Sequence, residues 1–316
     1  MSIPVRNPRT GAYDATITPP DEAAFGAIVR RLRAAQPAWA GLSLAERAAA
    51  LLALRGAIEA HGDAIAAALE IDTGRRAIAR QELKGVLGAL AGWAAQAPSL
   101  LPDEWTQGRS MPHLKHRPQF VPYGLVGVIS PWNFPLTLSM IDTIPALLAG
   151  CAVLLKPSEV TPRFVAPLRA AVAQVPAVAA VFETAPGGAD TGRAVIGAAD
   201  AVCFTGSVAT GQAVAAQAAQ RMIPAFLELG GKDPLIILAS ADLDAAVTAA
   251  LRGSVLSTGQ ACQSLERIYV ARPLYEAFVE RLTGAAAACR LNWPEITAGE
   301  IGPIIFEKQA ATLQAH

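Results

Sequence analysis

The chain has 316 residues, 53% hydrophobic and 16% charged, with 26 basic residues balancing 26 acidic ones. That length allows one large or two ordinary domains with substantial cores, and the zero net charge offers no electrostatic footprint for nucleic acid or an acidic membrane surface. The N-terminus carries prolines and charges where a signal peptide needs an apolar core, and the most apolar run, Thr143 to Leu155, is too short to span a bilayer. Cys151, Cys203, Cys262 and Cys289 are widely spaced with no CxxC pair, so they read as free thiols in a reducing compartment and a cytoplasmic location is expected.

In chain order, Ser43-Leu44-Ala45-Glu46 has the spacing of a capping box, and a helix is expected to start there. Leu51, Leu54 and Ile58 recur at helical spacing, and Ile65 with Leu69 resumes the pattern after a break at His61-Gly62, so the first hundred residues read as mainly helical. Past Pro98 the chain holds prolines and charges with little periodicity, which suits a loop or a projecting hairpin. Leu125 to Ile129, Ala152 to Leu155, Ala201 to Thr205 and Leu235 to Leu238 are short apolar runs rich in β-branched residues. Helix-compatible segments separate them, and that alternation predicts a parallel α/β sheet. A helix is expected from Ser240 or Asp242 to Gly253, another from Pro273 through Tyr275, Phe278 and Leu282, and a last one within the final thirteen residues, IIFEKQAATLQAH.

Four patches carry side chains suited to chemistry. In Ser130-Pro131-Trp132-Asn133-Phe134-Pro135 a polar turn follows a strand's carboxyl end, where open α/β sheets place ligands; an Asn that only bonds its own turn fits as well. Lys156-Pro157-Ser158-Glu159 follows the next strand, where a Lys and a Glu can hydrogen-bond ribose hydroxyls, or can simply form a solvated pair. Phe204-Thr205-Gly206-Ser207 through Gly211 runs from strand to glycine turn to helix start, an arrangement suited to pyrophosphate, although Gly-x4-Gly is also an ordinary turn. Glu228, flanked by Leu227 and Leu229, is expected to be partly desolvated, the environment of a general base, unless it pairs with Lys232. With it goes Cys262, in Gly259-Gln260-Ala261-Cys262, which is either a nucleophile beside an approachable glycine or a buried inert thiol.

Taken together, SPWNFP, KPSE, FTGSVATG, LELGGK and GQAC resemble the aldehyde dehydrogenase family, in whose order they occur and at spacings close to its own. The resemblance runs from about Asn7-Pro8 to Pro303. It implies an α/β fold: a Rossmann-like cofactor domain over residues 1–230, interrupted by a small oligomerisation hairpin at about 104–122, and an incomplete α/β catalytic domain over 231–316. The implied reaction is oxidation of a small-molecule aldehyde to a carboxylic acid with NAD(P). In it Cys262 forms a thiohemiacetal and then a thioester, Asn133 with the Cys262 backbone N–H holds the oxyanion, and Glu228 activates water. Lys156, Ser158 and Glu159 match ribose positions and Gly206, Ser207 and Gly211 the pyrophosphate turn, with Trp132 and Leu229 beside them.

Glu159 favours NAD, while Lys156 and Ser158 leave NADP open; no metal is implied, and a homo-oligomer is implied for full-length members. Family members continue past this chain's last residue through a Glu-Ile-Phe-Gly-Pro-like segment that this sequence lacks, so a C-terminally truncated member is expected. The alternative function is a catalytically silent chain that binds nucleotide or a partner chain. Cofactor-free ester hydrolysis through Cys262 and Glu228 is a third reading, and no His stands near Cys262 in sequence to support it.

Overall fold

Residues 2–102 and 104–315 are described by a computed structural model. The chain opens on an antiparallel hairpin, β1 (Ile3–Arg6) with β2 (Tyr13–Ile17), that the helical texture of the first hundred residues conceals. Four helices follow: α1 (Glu22–Ala40), α2 (Leu44–Ala60), α3 (Gly62–Thr73) and α4 (Arg76–Leu100). The capping box forms in both halves: Ser43 Oγ accepts the Glu46 N–H at 3.2 Å and Glu46 returns to the Ser43 N–H at 2.7 Å. The break at His61-Gly62 is the junction of α2 and α3, and Leu51, Leu54, Ile58, Ile65 and Leu69 are all fully buried.

Beyond α4, β3 (Thr106–Gln107) and β4 (Lys115–His116) make a small antiparallel hairpin, one of the two forms, loop or hairpin, expected there. The α/β alternation then runs β5 (Leu125–Ile129), α5 (Pro135–Ala149), β6 (Ala152–Lys156), α6 (Val165–Ala173), α7 (Pro176–Val181) and β7 (Phe182–Thr184). It continues through α8 (Ala189–Ala198), β8 (Ala201–Gly206), α9 (Val208–Gln220) and β9 (Ala225–Leu229). These strands form one parallel five-stranded sheet in the order β7-β6-β5-β8-β9. Every residue of β5 and β6 is buried, which is why both read as unbroken apolar runs and not as alternating ones.

A second sheet pairs β10 (Asp233–Ile237) with β11 (Leu265–Val270) in parallel, crossed by α10 (Leu243–Val255) and followed by α11 (Tyr275–Ala287) and α12 (Lys308–Ala315). Asp242 caps α10 by accepting the Ala245 N–H at 2.8 Å. Gly253 does not end this helix as expected: α10 runs on to Val255, and a Cβ at 253 would lie 2.3 Å from Leu265 Cδ1, so the glycine serves close packing against β11. Pro273 likewise sits in a tight turn, Arg272–Leu274, ahead of α11. Among the described residues no helix is long and apolar enough to cross a membrane.

Candidate active site

From β5 the chain moves outward through β6 to β7, then returns to the other flank of β5 for β8 and β9. Connections from β5 and β8 therefore diverge at the carboxyl ends of these strands, the position at which open parallel sheets bind ligands. The register sets the parts side by side: Ile129 is level with Lys156 and with Phe204, and Gly206 is level with Leu229. Four of the five motifs thus lie along one edge of one sheet.

The fifth motif reaches this edge through hydrogen bonds. Asn133 Nδ2 donates to the Gln260 carbonyl at 3.0 Å, tying the β5–α5 loop to the turn that carries Cys262. That turn is unusual: Ser257, Thr258 and Gly259 all have positive φ, at 57°, 62° and 69°. Left-handed backbone is unfavourable for a β-branched residue such as Thr258 and persists where surrounding contacts over-determine it. Those contacts are present. Thr258 Oγ1 accepts the Gly302 N–H at 2.8 Å, Gln260 Nε2 donates to the Pro303 carbonyl at 3.0 Å, Gln260 Oε1 accepts the Ile305 N–H at 2.9 Å, and Ser264 Oγ donates to the Gly259 carbonyl at 3.1 Å. Cys262 itself is exposed, which overturns the buried-filler reading, whereas Cys151 is the buried thiol of the four free cysteines.

At the end of β6, Lys156 and Ser158 are buried, and the Lys156 amine meets the half-buried Glu159 carboxylate at 2.8 Å, so the expected charge pair forms at the sheet edge and not out in solvent. Trp132 offers its carbonyl to Thr161 Oγ1 at 3.1 Å and its ring to Phe306, with centroids 6.0 Å apart. After β8, Ser207 caps α9 by accepting the Thr210 N–H, which leaves the first two helix amides, Val208 and Ala209, facing outward at the positive end of the helix dipole. Gly211 allows α9 to seat on β9, since a Cβ there would stand 2.5 Å from Leu229 Cδ2.

Glu228 departs from expectation. Its flanking leucines turn to the α9 side of the sheet, and Glu228 points the other way from the outermost strand, so it is exposed and not desolvated. Among the described residues it forms no ion pair with Lys232. It shares its side of the sheet with Asp142 on α5, whose carboxyl is pushed up to about 6 by burial and by the Glu228 charge. Burial drives the neighbouring Cys203 thiol higher still, to about 12.

Two residues beneath the site carried no signal in the sequence. Arg75, immediately before α4, is 5% exposed; it donates to the carbonyls of Asn133 and Ser257 and lies 5.3 Å over the Phe134 ring. Glu82, two turns along α4, is 3% exposed and accepts the Leu136 and Thr137 N–H groups at 3.0 Å each. Burial lowers Arg75 to about 10 and raises Glu82 to about 7. In Gly74-Arg75-Arg76-Ala77 nothing distinguishes the buried arginine from Arg76, which faces solvent against Glu70. A cavity of about 320 Å³ runs past Arg75, Arg252, Leu256 and Ser257 behind the turn.

The aldehyde dehydrogenase family model matches residues 1–316, and the chain belongs to that family. A Mycolicibacterium smegmatis protein provisionally named succinate-semialdehyde dehydrogenase [NADP(+)] is 35% identical over 318 residues, a match that takes in 100% of this chain and 62% of that protein. The 3,6-anhydro-alpha-L-galactose dehydrogenase of Streptomyces coelicolor is 34% identical over 99% of this chain and 64% of its own length. Among solved structures, PutA of Anabaena variabilis, assigned by name to the aldehyde dehydrogenases, shares 49% identity with a TM-score of 0.96 over 100% of this chain and 67% of that one. The chain thus spans a little under two-thirds of the length of these curated relatives.

Proposed function

We propose that the chain is an NAD(P)-dependent aldehyde dehydrogenase in which Cys262 is the nucleophile. The observation that carries this reading is the Asn133–Gln260 hydrogen bond, which draws an exposed thiol and an amide donor to the ligand-binding edge of the sheet. As a thiolate, Cys262 attacks the aldehyde carbon and forms a thiohemiacetal. An amide nitrogen carries two hydrogens; Asn133 gives one to Gln260 and has the other for the oxyanion, alongside the Cys262 backbone N–H. When bound, a nicotinamide would supply the acceptor for the hydride that leaves the carbon. Cys262 is then left as a thioester. Glu228 takes a proton from water and releases it to solvent, the water oxygen displaces the sulfur, and the carboxylic acid departs with the Cys262 thiolate restored.

The edge residues fit a dinucleotide by the chemistry of their donors. Lys156, Ser158 and Glu159 would hold a ribose; Ser207 and the amides at the head of α9 would hold pyrophosphate between Gly206 and Gly211, with Trp132 and Leu229 as apolar walls. The carboxylate of Glu159 disfavours a 2′-phosphate and so favours NAD, while its pairing with Lys156 and the NADP of the named mycobacterial relative keep NADP in use. Residues 1–230 form the Rossmann-like cofactor domain and 231–316 a partial catalytic domain. The hairpin at about 104–122, where Trp105 and Val121 are 64% and 77% exposed, joins copies of the chain in a cytoplasmic homo-oligomer.

A second reading, nucleotide binding without turnover, draws on the exposed outer face of β10 and β11. One assay separates them: reduced cofactor followed spectroscopically with a panel of small semialdehydes and sugar-derived aldehydes. Turnover that Cys262→Ala lowers at least ~10³-fold, with calorimetric cofactor binding unchanged, is the expected result. Binding without any turnover supports the silent chain, and turnover retained in the variant removes Cys262 as nucleophile.

A further inference from the structure

We infer that Arg75 and Glu82 are positioning residues that hold the Asn133 amide against the Cys262 turn. The inference rests on the proposed roles of Asn133 and Cys262. Arg75 stands just before α4 and Glu82 two turns into it, and both side chains reach the segment from Asn133 to Thr137. Their side-chain hydrogen bonds go to loops and a helix start outside α4.

The need for Glu82 follows from the start of α5. Phe134, the residue before the helix, supplies no side-chain cap, and Pro135 has no N–H to offer. The next two amides, Leu136 and Thr137, would be orphans in a buried position. The Glu82 carboxyl takes both through Oε2 at the head of α5. Thus the exit of the loop bearing Asn133 is pinned from α4.

Arg75 pins the loop's centre. Its planar fork donates to two carbonyls on two different loops, Asn133 through Nη2 and Ser257 through Nη1, the latter at 3.4 Å. With Asn133 Nδ2 on the Gln260 carbonyl, Asn133 is held at its backbone by Arg75 and at its side chain by the cysteine turn. Ser257, the first left-handed residue of that turn, is held by the same guanidinium. Packed apolar side chains would bind α4 to α5 at less desolvation cost, but they cannot set the direction of carbonyls on separate loops. A shift of that geometry changes where the oxyanion donors stand relative to the thiol, which is a kinetic effect before it is a stability effect.

Arg75→Lys keeps the charge and replaces a fork by a single ammonium that cannot bridge both carbonyls. In the whole chain, we expect aldehyde kcat to fall about tenfold or more with KM for the cofactor unchanged. Amide exchange should quicken in residues 130–138 and 256–264 while β6 stays protected. Glu82→Gln, which keeps a neutral acceptor, should quicken exchange in 130–138 alone, and it carries the test if Arg75→Lys does not fold. Unchanged exchange in both segments, or a rise spread evenly over α4 and the sheet, overturns the proposal. If the wild type turns over no aldehyde, the functional reading fails on its own while the exchange measurement still decides the clamp.

Discussion

The five-stranded sheet and the β10–β11 pair are made of similar residues but differ in how many faces they bury. The central strands β5 and β6 have no exposed residue, with α5 packed on one face and α8 on the other. In the smaller sheet, Leu235, Ile237, Ile268 and Val270 turn toward α10 and α11, while Ile236 and Tyr269 on the outer face are 67% and 56% exposed. Its buried cluster is Ile237, Val247, Ala250 and Phe278. The contrast teaches where the order of the candidate site comes from. Cys262 lies just before β11, yet its turn is fixed by Asn133, Arg75, Gly302 and Ile305 and not by its own sheet.

The sharpest way to break the contrast is to cut a cavity in each region. Leu154 is fully buried in β6, and Leu154→Ala should cost about 3–4 kcal/mol, since a strand packed on both faces cannot collapse around the void. Urea unfolding should show the loss as a lower midpoint, with cofactor binding and turnover declining together. Phe278→Ala removes the largest side chain of the small cluster, and we expect a cost of about 3 kcal/mol, at the low end for a buried Phe, because an open sheet relaxes more easily. Here the informative readout is a split: exchange should accelerate in β10, α10 and α11, while cofactor affinity is retained. Loss of cofactor affinity alongside would show that the two sheets unfold as one unit and that the contrast is only one of exposure.

The same contrast explains what could be read from the sequence. Doubly buried strands leave uninterrupted apolar runs, so β5, β6 and β8 stood out, as did Phe278 and the capping box at Ser43. Strands buried on one face are harder to see where polar residues fall among the apolar ones, although β10 is still legible through Leu235 to Leu238. In β9 and β11 polar or charged residues interrupt the apolar ones, as Glu228 does in β9 and Glu266 and Arg267 do in β11, and neither strand has the continuous pattern of a core. The motif residues are legible as a set because the five motifs that hold them occur in family order. Their environments were not: flanking leucines suggested a desolvated Glu228, but on an edge strand the neighbours i−1 and i+1 lie on the opposite face and shield nothing. Arg75 and Glu82 were illegible for a related reason, since burial of a charge is decided by the loop that lands on it from a distant part of the chain.

The smallest effect we expect concerns the boundary between the two regions, where Asp142 on α5 faces the Glu228 side of the edge strand. Burial, and then the charge of Glu228, raises its carboxyl from an ordinary 3.8 to about 6. The folded chain therefore holds this proton more tightly than the unfolded chain does. Below about pH 4 the group is protonated in both states and carries no ionisation penalty; as pH rises from 4 to 6 the unfolded chain ionises first, and stability falls. Above 6 the penalty is complete. Asp142→Asn abolishes it, so the variant should melt a few degrees higher than the wild type at pH 8 and at the same temperature near pH 4. Adding Glu228→Gln to both proteins should shrink the gain at pH 8, because one of the two causes has been removed. A gain at pH 8 that Glu228→Gln leaves untouched would assign the whole shift to burial, and would separate the proposed base from the buried side of the sheet edge it occupies.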